Sequence, residues 1–175
     1  MKKNLQLPAL FNLLRSTAAT FPDKRKGKNI QYSLETFAMT AFSAFFLQCP
    51  SFKSHKTLVD QLEKNGNASG LFGLDQIPSH NQVRDILDEV SPDHLVPVFD
   101  GVFNNLERSG YLRKLHGFED DILIALDGAE YFSSKKIHCK NCSVKKHKNG
   151  TKTYSHTVLM SSIVVPGKNI AVPLA

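Results

Sequence analysis

Apolar residues of this 175-residue chain recur at intervals of three and four as far as residue 110, and after Gly117 they run together in short blocks. The first pattern lays a stripe along a helix; the second suits strands. Residues 5–16 (LQLPALFNLLRS) have helical spacing, with Pro8 tolerated in the first turn. A basic loop with Gly and Pro follows over 21–33. Ser33 can cap a helix running to about residue 48, although Thr36 in place of Glu or Gln rules out a capping box. That helix is apolar nearly all round (Leu34, Phe37, Ala38, Phe42, Phe45, Phe46), which predicts a central core position. A short helix is expected over 57–64, broken by NGNASGLFG at 65–73. Ser79 with Gln82 three residues on is a capping box, and predicts a helix to about Val90. Ser91-Pro92 opens the next, with Leu95, Val96, Phe99, Val102, Phe103 and Leu106 on one face and Gly110 as its stop.

Beyond that point DILIALDG (121–128), YSHTVLMSSIVVPG (154–167, turned by Pro166-Gly167) and 169–174 read as three strands. The expected fold class is therefore α+β. A helical region, 1–116, precedes the first strands of a sheet, 117–175, with the boundary near 116–120.

Charge changes this picture by its distribution. The net charge is +6, which admits a polyanionic partner. Residues 1–30 carry seven Lys/Arg and one Asp, residues 31–130 seven Lys/Arg against fifteen acids, and residues 131–175 eight Lys and no acid. Two solvated basic surfaces would give the same pattern. The longest apolar run, FAMTAFSAFFL (37–47), is too short for a bilayer, so no membrane partner is expected. No secretory signal is visible, and three cysteines are an odd count for a disulfide framework, so a reducing cytoplasmic setting is the simplest one.

Three groups of residues bear on chemistry. Asp127 closes five apolar residues and precedes Gly128. An acid there is either the first half of an Asp-Gly turn or a carboxylate at a strand end, where working residues gather. A lone carboxylate does little; sharing a divalent metal with others makes it potent. Glu130 is a neighbouring surface acid that could at most assist. In KIHCKNCSVKKHKNGTKTYSH (136–156), Cys139 and Cys142 form a Cys-x-x-Cys pair, and with His147 and His156 they offer four donors for tetrahedral Zn²⁺. The plainer reading is two reduced cysteines in a basic hairpin loop. For DNA, the lysines of this segment, among them Lys135, Lys136, Lys145, Lys146 and Lys148, are the better phosphate footprint. Arg84, near the start of the 79–90 helix, is a second contact candidate, on a helix that packing alone would also explain.

The strings LIALDGAEYFSS (123–134), the Cys-x-x-Cys segment and YSHTVLMSSIVVPGKNIAVPLA (154–175) resemble insertion-sequence transposases of the DDE class, whose catalytic domain has a ribonuclease-H-like fold. NGNASGLFGLDQIPSHNQVRDILDEV (65–90) resembles the segment such proteins place before that domain. The resemblance runs from about residue 21 to the end. It implies that Asp127 is the first catalytic aspartate, holding Mg²⁺ ions that activate water and then a DNA 3′-hydroxyl for attack on a phosphodiester. It also implies transposon-end DNA as partner. The class needs a further Asp and a Glu, yet no acid follows Glu130. The expectation is therefore a truncated ribonuclease-H-like sheet in a transposase fragment, inactive alone: a degenerate copy, or one half of a split frame acting by self-association or with a separately encoded C-terminal half. The alternative is a non-catalytic basic nucleic-acid-binding module stabilised by zinc. A third reading is a soluble interaction protein with no nucleic acid involved.

Overall fold

A computed structural model of the chain describes residues 7–64, 72–74, 76–117 and 121–174, and the backbone alone at 62–64. Contacts divide the chain into two compact units, Met1–Asn105 and Leu106–Ala175.

The first unit is helical. Helix α1 spans Leu7–Ala18, α2 Leu34–Phe46, α3 Phe52–Lys64 and α4 His80–Leu87; a 3-10 turn at Pro92–Leu95 leads into α5, Val96–Arg108, whose end from Leu106 on belongs to the second unit. Residues 5 and 6 of the expected first helix, and 65–71 of the expected break, lie outside the described residues. The caps explain most boundaries. Ser33 Oγ accepts from the Thr36 N–H at 3.1 Å. At Ser79 the full reciprocal box forms, Ser79 Oγ accepting from Gln82 N–H and Gln82 Oε1 from Ser79 N–H at 3.0 Å. Helix α3 starts five residues before the expected Thr57, because Ser51 and Ser54 cap each other's N–H groups, at 3.1 Å both ways. Serine here fills the place that Glu or Gln usually takes. The helix expected from Ser91 begins instead as a 3-10 turn. Pro97 offers no N–H to the carbonyl of Asp93 and its ring crowds it, so the α-helical ladder starts only at Val96. Gly110, at φ 71°, ends that helix as expected.

Apolar clusters of the described residues hold the unit together. Phe11, Leu14, Met39, Phe72 and Leu74 form one, with Phe42, Leu47 and Val98 against it. Ala18, Phe21, Leu34 and Ala38 form another, with Ile86 and Val90 against it. Helix α2 feeds both, as a central helix should, but it is not buried all round. Phe45 is 77% exposed, its ring only edge-on to Phe52 at 6.5 Å. A helix bordered by α1 and α4 still keeps one free flank, and Phe45 falls on it. Arg15 ties the clusters' margins together: Nη1 meets Glu35 Oε1 at 2.9 Å, and Nη2 donates to the Phe72 carbonyl. Gly73, at φ 56°, presses so closely on this guanidinium that a Cβ would collide with it.

Helix α3 adds a buried polar pair. Ser43 is fully buried and His55 is 1% exposed. The Ser43 hydroxyl donates to the Thr40 carbonyl at 2.9 Å and meets His55 Nε2 at 2.8 Å. A hydroxyl has one proton, so Nε2 carries the hydrogen and donates to Ser43. Burial holds the His55 imidazole below its ordinary pKa. The unfolded chain therefore takes up a proton that the fold resists. Stability should be full above about pH 6.5 and fall as pH drops below it, by at most about 1.4 kcal/mol per pH unit for this group. Urea unfolding from pH 7.5 to 5 checks it: His55→Gln should show a shallower acid loss than the parent. Identical slopes would remove His55 from the account.

The second unit holds a four-stranded antiparallel sheet: β1 Leu123–Ser134, β2 Ser143–Lys146, β3 Lys152–Val164 and β4 Ala171–Leu174. Strand β3 is central. It pairs with β1 over 154–164, and on its other edge with β2 at 152–155 and β4 at 161–164. The strand expected to stop at Asp127-Gly128 does not. Asp127 faces Met160, Gly128 faces Leu159, and pairing continues to Ser134. A bulge between Glu130 and Phe132 lets Tyr131 stand as the extra residue. Strand β2 was not expected at all. Among the described residues Leu106, Leu112, Leu115, Ile163 and Val165 are the buried apolar ones of this unit, and much of the sheet is exposed. Among the described residues no helix is long and apolar enough to cross a membrane.

Candidate metal centre and basic hairpin

The loop between β1 and β2 carries Cys139 and Cys142, and β3 carries His156. Antiparallel pairing brings β3 back under the loop, and three donor atoms converge. Cys139 Sγ and Cys142 Sγ are 3.8 Å apart, and each lies 3.2 Å from His156 Nε2. A tetrahedral zinc with Zn–S of about 2.3 Å and Zn–N of about 2.0 Å would set those edges at about 3.8 Å and about 3.5 Å. The sulfur edge already matches, and the imidazole needs to retreat only a few tenths of an ångström. These three residues can hold a metal ion. Three protein donors leave a fourth position for water or another ligand.

The loop's backbone supports this use. Asn141 N–H donates to Cys139 Sγ at 3.3 Å, and Cys139 N–H to Cys142 Sγ at 3.2 Å. The Asn141 N–H is the chief reason the Cys139 thiol sits below its usual pKa. A lowered pKa favours the thiolate, which is the form that binds metal. His156 is also oriented from the side: Tyr131 stacks on its ring at 5.8 Å and 18°, with Phe132 tilted against it at 5.9 Å.

The four-donor set expected from the sequence is thus one member short. His147 turns away, its Nε2 2.7 Å from Thr153 Oγ1. Cys142 and His147 are five residues apart, but β2 is an extended strand between them and carries His147 away from the thiols. His138 is no donor to the centre either; it stacks on Tyr154 at 4.2 Å and 15°. Reading the alternation of β3 forward from Tyr154 would have found these ring partners, since residues 154 and 156 share one face.

Asp127 is exposed and lies near the middle of β1. Its partner Met160 has the same parity on β3 as His156, so both project from one face, about 14 Å apart along the strand. Glu130, three residues on in regular pairing, belongs to the opposite face. Among the described residues Asp127 belongs to no group of three or more metal-ligating side chains, and the one such group is the thiol–imidazole one. The residues present therefore do not fit the Mg²⁺ that the transposase resemblance implies: a lone carboxylate is too few donors for it.

Lys135, Lys136, Lys145, Lys146 and Lys148 are all exposed around the hairpin. Lys152 pairs with Lys146, and by alternation this pair shares the face of His156. Arg84 is exposed on α4, in the other unit. Comparison with protein-family models, curated proteins and solved structures finds no match.

Proposed function

We propose that the chain is a DNA-binding part of a DDE-class transposase, in which the lysine-rich hairpin, pinned by zinc, grips DNA and Asp127 is the first of the class's three carboxylates. The antiparallel succession β1, β3, β4 is compatible with the opening of a ribonuclease-H-like sheet. One juxtaposition carries the proposal. Asp127 and the cationic hairpin occupy one sheet face, so a phosphodiester held by Lys146 and Lys152 would run along the strand toward the carboxylate. Residues 131–175 contain no Asp or Glu, so companions for Asp127 have to come from elsewhere and this chain transfers no strands by itself.

Binding to duplex DNA carrying terminal-repeat sequence, measured across a salt series, tests this. The logarithm of affinity should fall with log[salt] by several units, about 0.9 per phosphate neutralised. Lys146→Ala and Lys152→Ala should each lower that slope by about one. Salt-independent binding, or none, would overturn the proposal. With Mg²⁺ present, the same DNA should be neither nicked nor joined, and clear turnover would overturn the inactivity.

A further inference from the structure

The hairpin carries more than charge. Two ring stacks stand side by side on one face of β3. Tyr131 lies on His156, and His138 lies on Tyr154. Residues 154 and 156 are two apart in a strand, so the stacks are spaced by about 7 Å. In each stack the inner ring, Tyr154 or His156, is half-buried and the outer ring is exposed; Tyr131 is 68% exposed. The outer members are held out by particular local features. The bulge pushes Tyr131 out of the ladder, and the thiol loop presents His138 one residue before Cys139. Two exposed rings, each near-parallel to its neighbour at 18° and 15°, leave aromatic surface in solvent. Duplex binding does not need them, because paired bases have no free faces to offer.

We infer that Tyr131 and His138 form a stacking platform for unpaired bases, making this face a single-stranded DNA site. Charge complementarity favours that occupant. Lys135, Lys136, Lys146 and Lys152 are exposed on the same hairpin, and no acid lies within residues 131–175. Aromatic faces inside a cationic groove are how proteins hold single strands without regard to sequence. An ion held by Cys139, Cys142 and His156 would steady the His156 ring on which Tyr131 stacks. The inference rests on the nucleic-acid half of the proposed function and on nothing about Asp127.

Fluorescence anisotropy with the zinc-loaded full chain tests it, using labelled oligo(dT) and a duplex of equal length at one salt concentration. Tyr131→Ala should weaken single-strand binding by about 5- to 150-fold, the worth of one stacked base. Duplex affinity should stay within about twofold, since that binding is backbone electrostatics. Tyr131→Phe keeps the ring and should keep single-strand affinity. Equal loss on both DNAs, no loss with Tyr131→Ala, or a Phe variant as weak as Ala would each overturn the platform. So would a dimer that Tyr131→Ala dissolves while single-strand binding is untouched. If the duplex binds and the single strand shows no dependence on Tyr131, only this inference falls. If neither DNA binds, the proposed function falls with it.

Discussion

Cys142→Ser should strip the chain of zinc. After demetallation and reloading, the parent should hold about one ion per molecule and the variant close to none. Cys142 supplies one of three converging donors, with its sulfur 3.2 Å from His156 Nε2 and 3.8 Å from Cys139 Sγ. Removing a group that only orients a ligand already costs about 10–100-fold in metal affinity. Loss of a thiolate ligand should exceed that, because a serine hydroxyl stays protonated at neutral pH and is a poor zinc donor. His156→Ala should behave alike. His147→Ala should leave zinc binding intact, its imidazole being engaged with Thr153. Elemental analysis and competition with a chromophoric chelator read these outcomes. A Cys142→Ser chain that still holds stoichiometric zinc would mean the centre is built from other residues.

Met39→Ala should destabilise the helical unit by about 2–5 kcal/mol, the range for emptying a buried large apolar site. Met39 is 0% exposed and lies where α2 meets Phe11, Leu14, Phe72 and Leu74. Ordinary domains have only about 5–15 kcal/mol in hand, so a loss of that size takes away a large share of the folded state's margin. Phe45→Ala, six residues along the same helix, removes more atoms but should cost far less, because Phe45 stands largely in water. Urea denaturation of both variants at pH 7.5 compares them directly. If Phe45→Ala proved the more damaging, the assignment of the buried face of α2 would be wrong.

The pair also shows where a sequence stops informing. Phe37, Met39, Phe42, Phe45 and Phe46 look alike as apolar residues on a helix, and burial all round is the natural expectation. Only the placement of α1 and α4 decides that Met39 is enclosed and Phe45 is not. The same division runs through the candidate site. The Cys139–Cys142 pair was legible, since its backbone turn is made within four residues. The histidine that completes it was not, because His147 and His156 are both within reach of a flexible chain. The register of β3 selects between them.

By itself the sequence determined the helical start, the change to strands, the caps at Ser33, Ser79 and Gly110, and the acid-free basic stretch. Each is set by forces acting over a few residues: a hydroxyl on a neighbouring N–H, a positive φ open to glycine, charges crowded along a short segment. Tertiary structure alone decided that β1 runs through Asp127-Gly128, that Asp127 shares a face with His156 and not with Glu130, and that Tyr131 leaves the ladder. Those outcomes belong to the pairing of β1 with β3. A continuous row of interstrand hydrogen bonds outweighs the local turn preference of one Asp-Gly pair, and side-chain direction then follows from register.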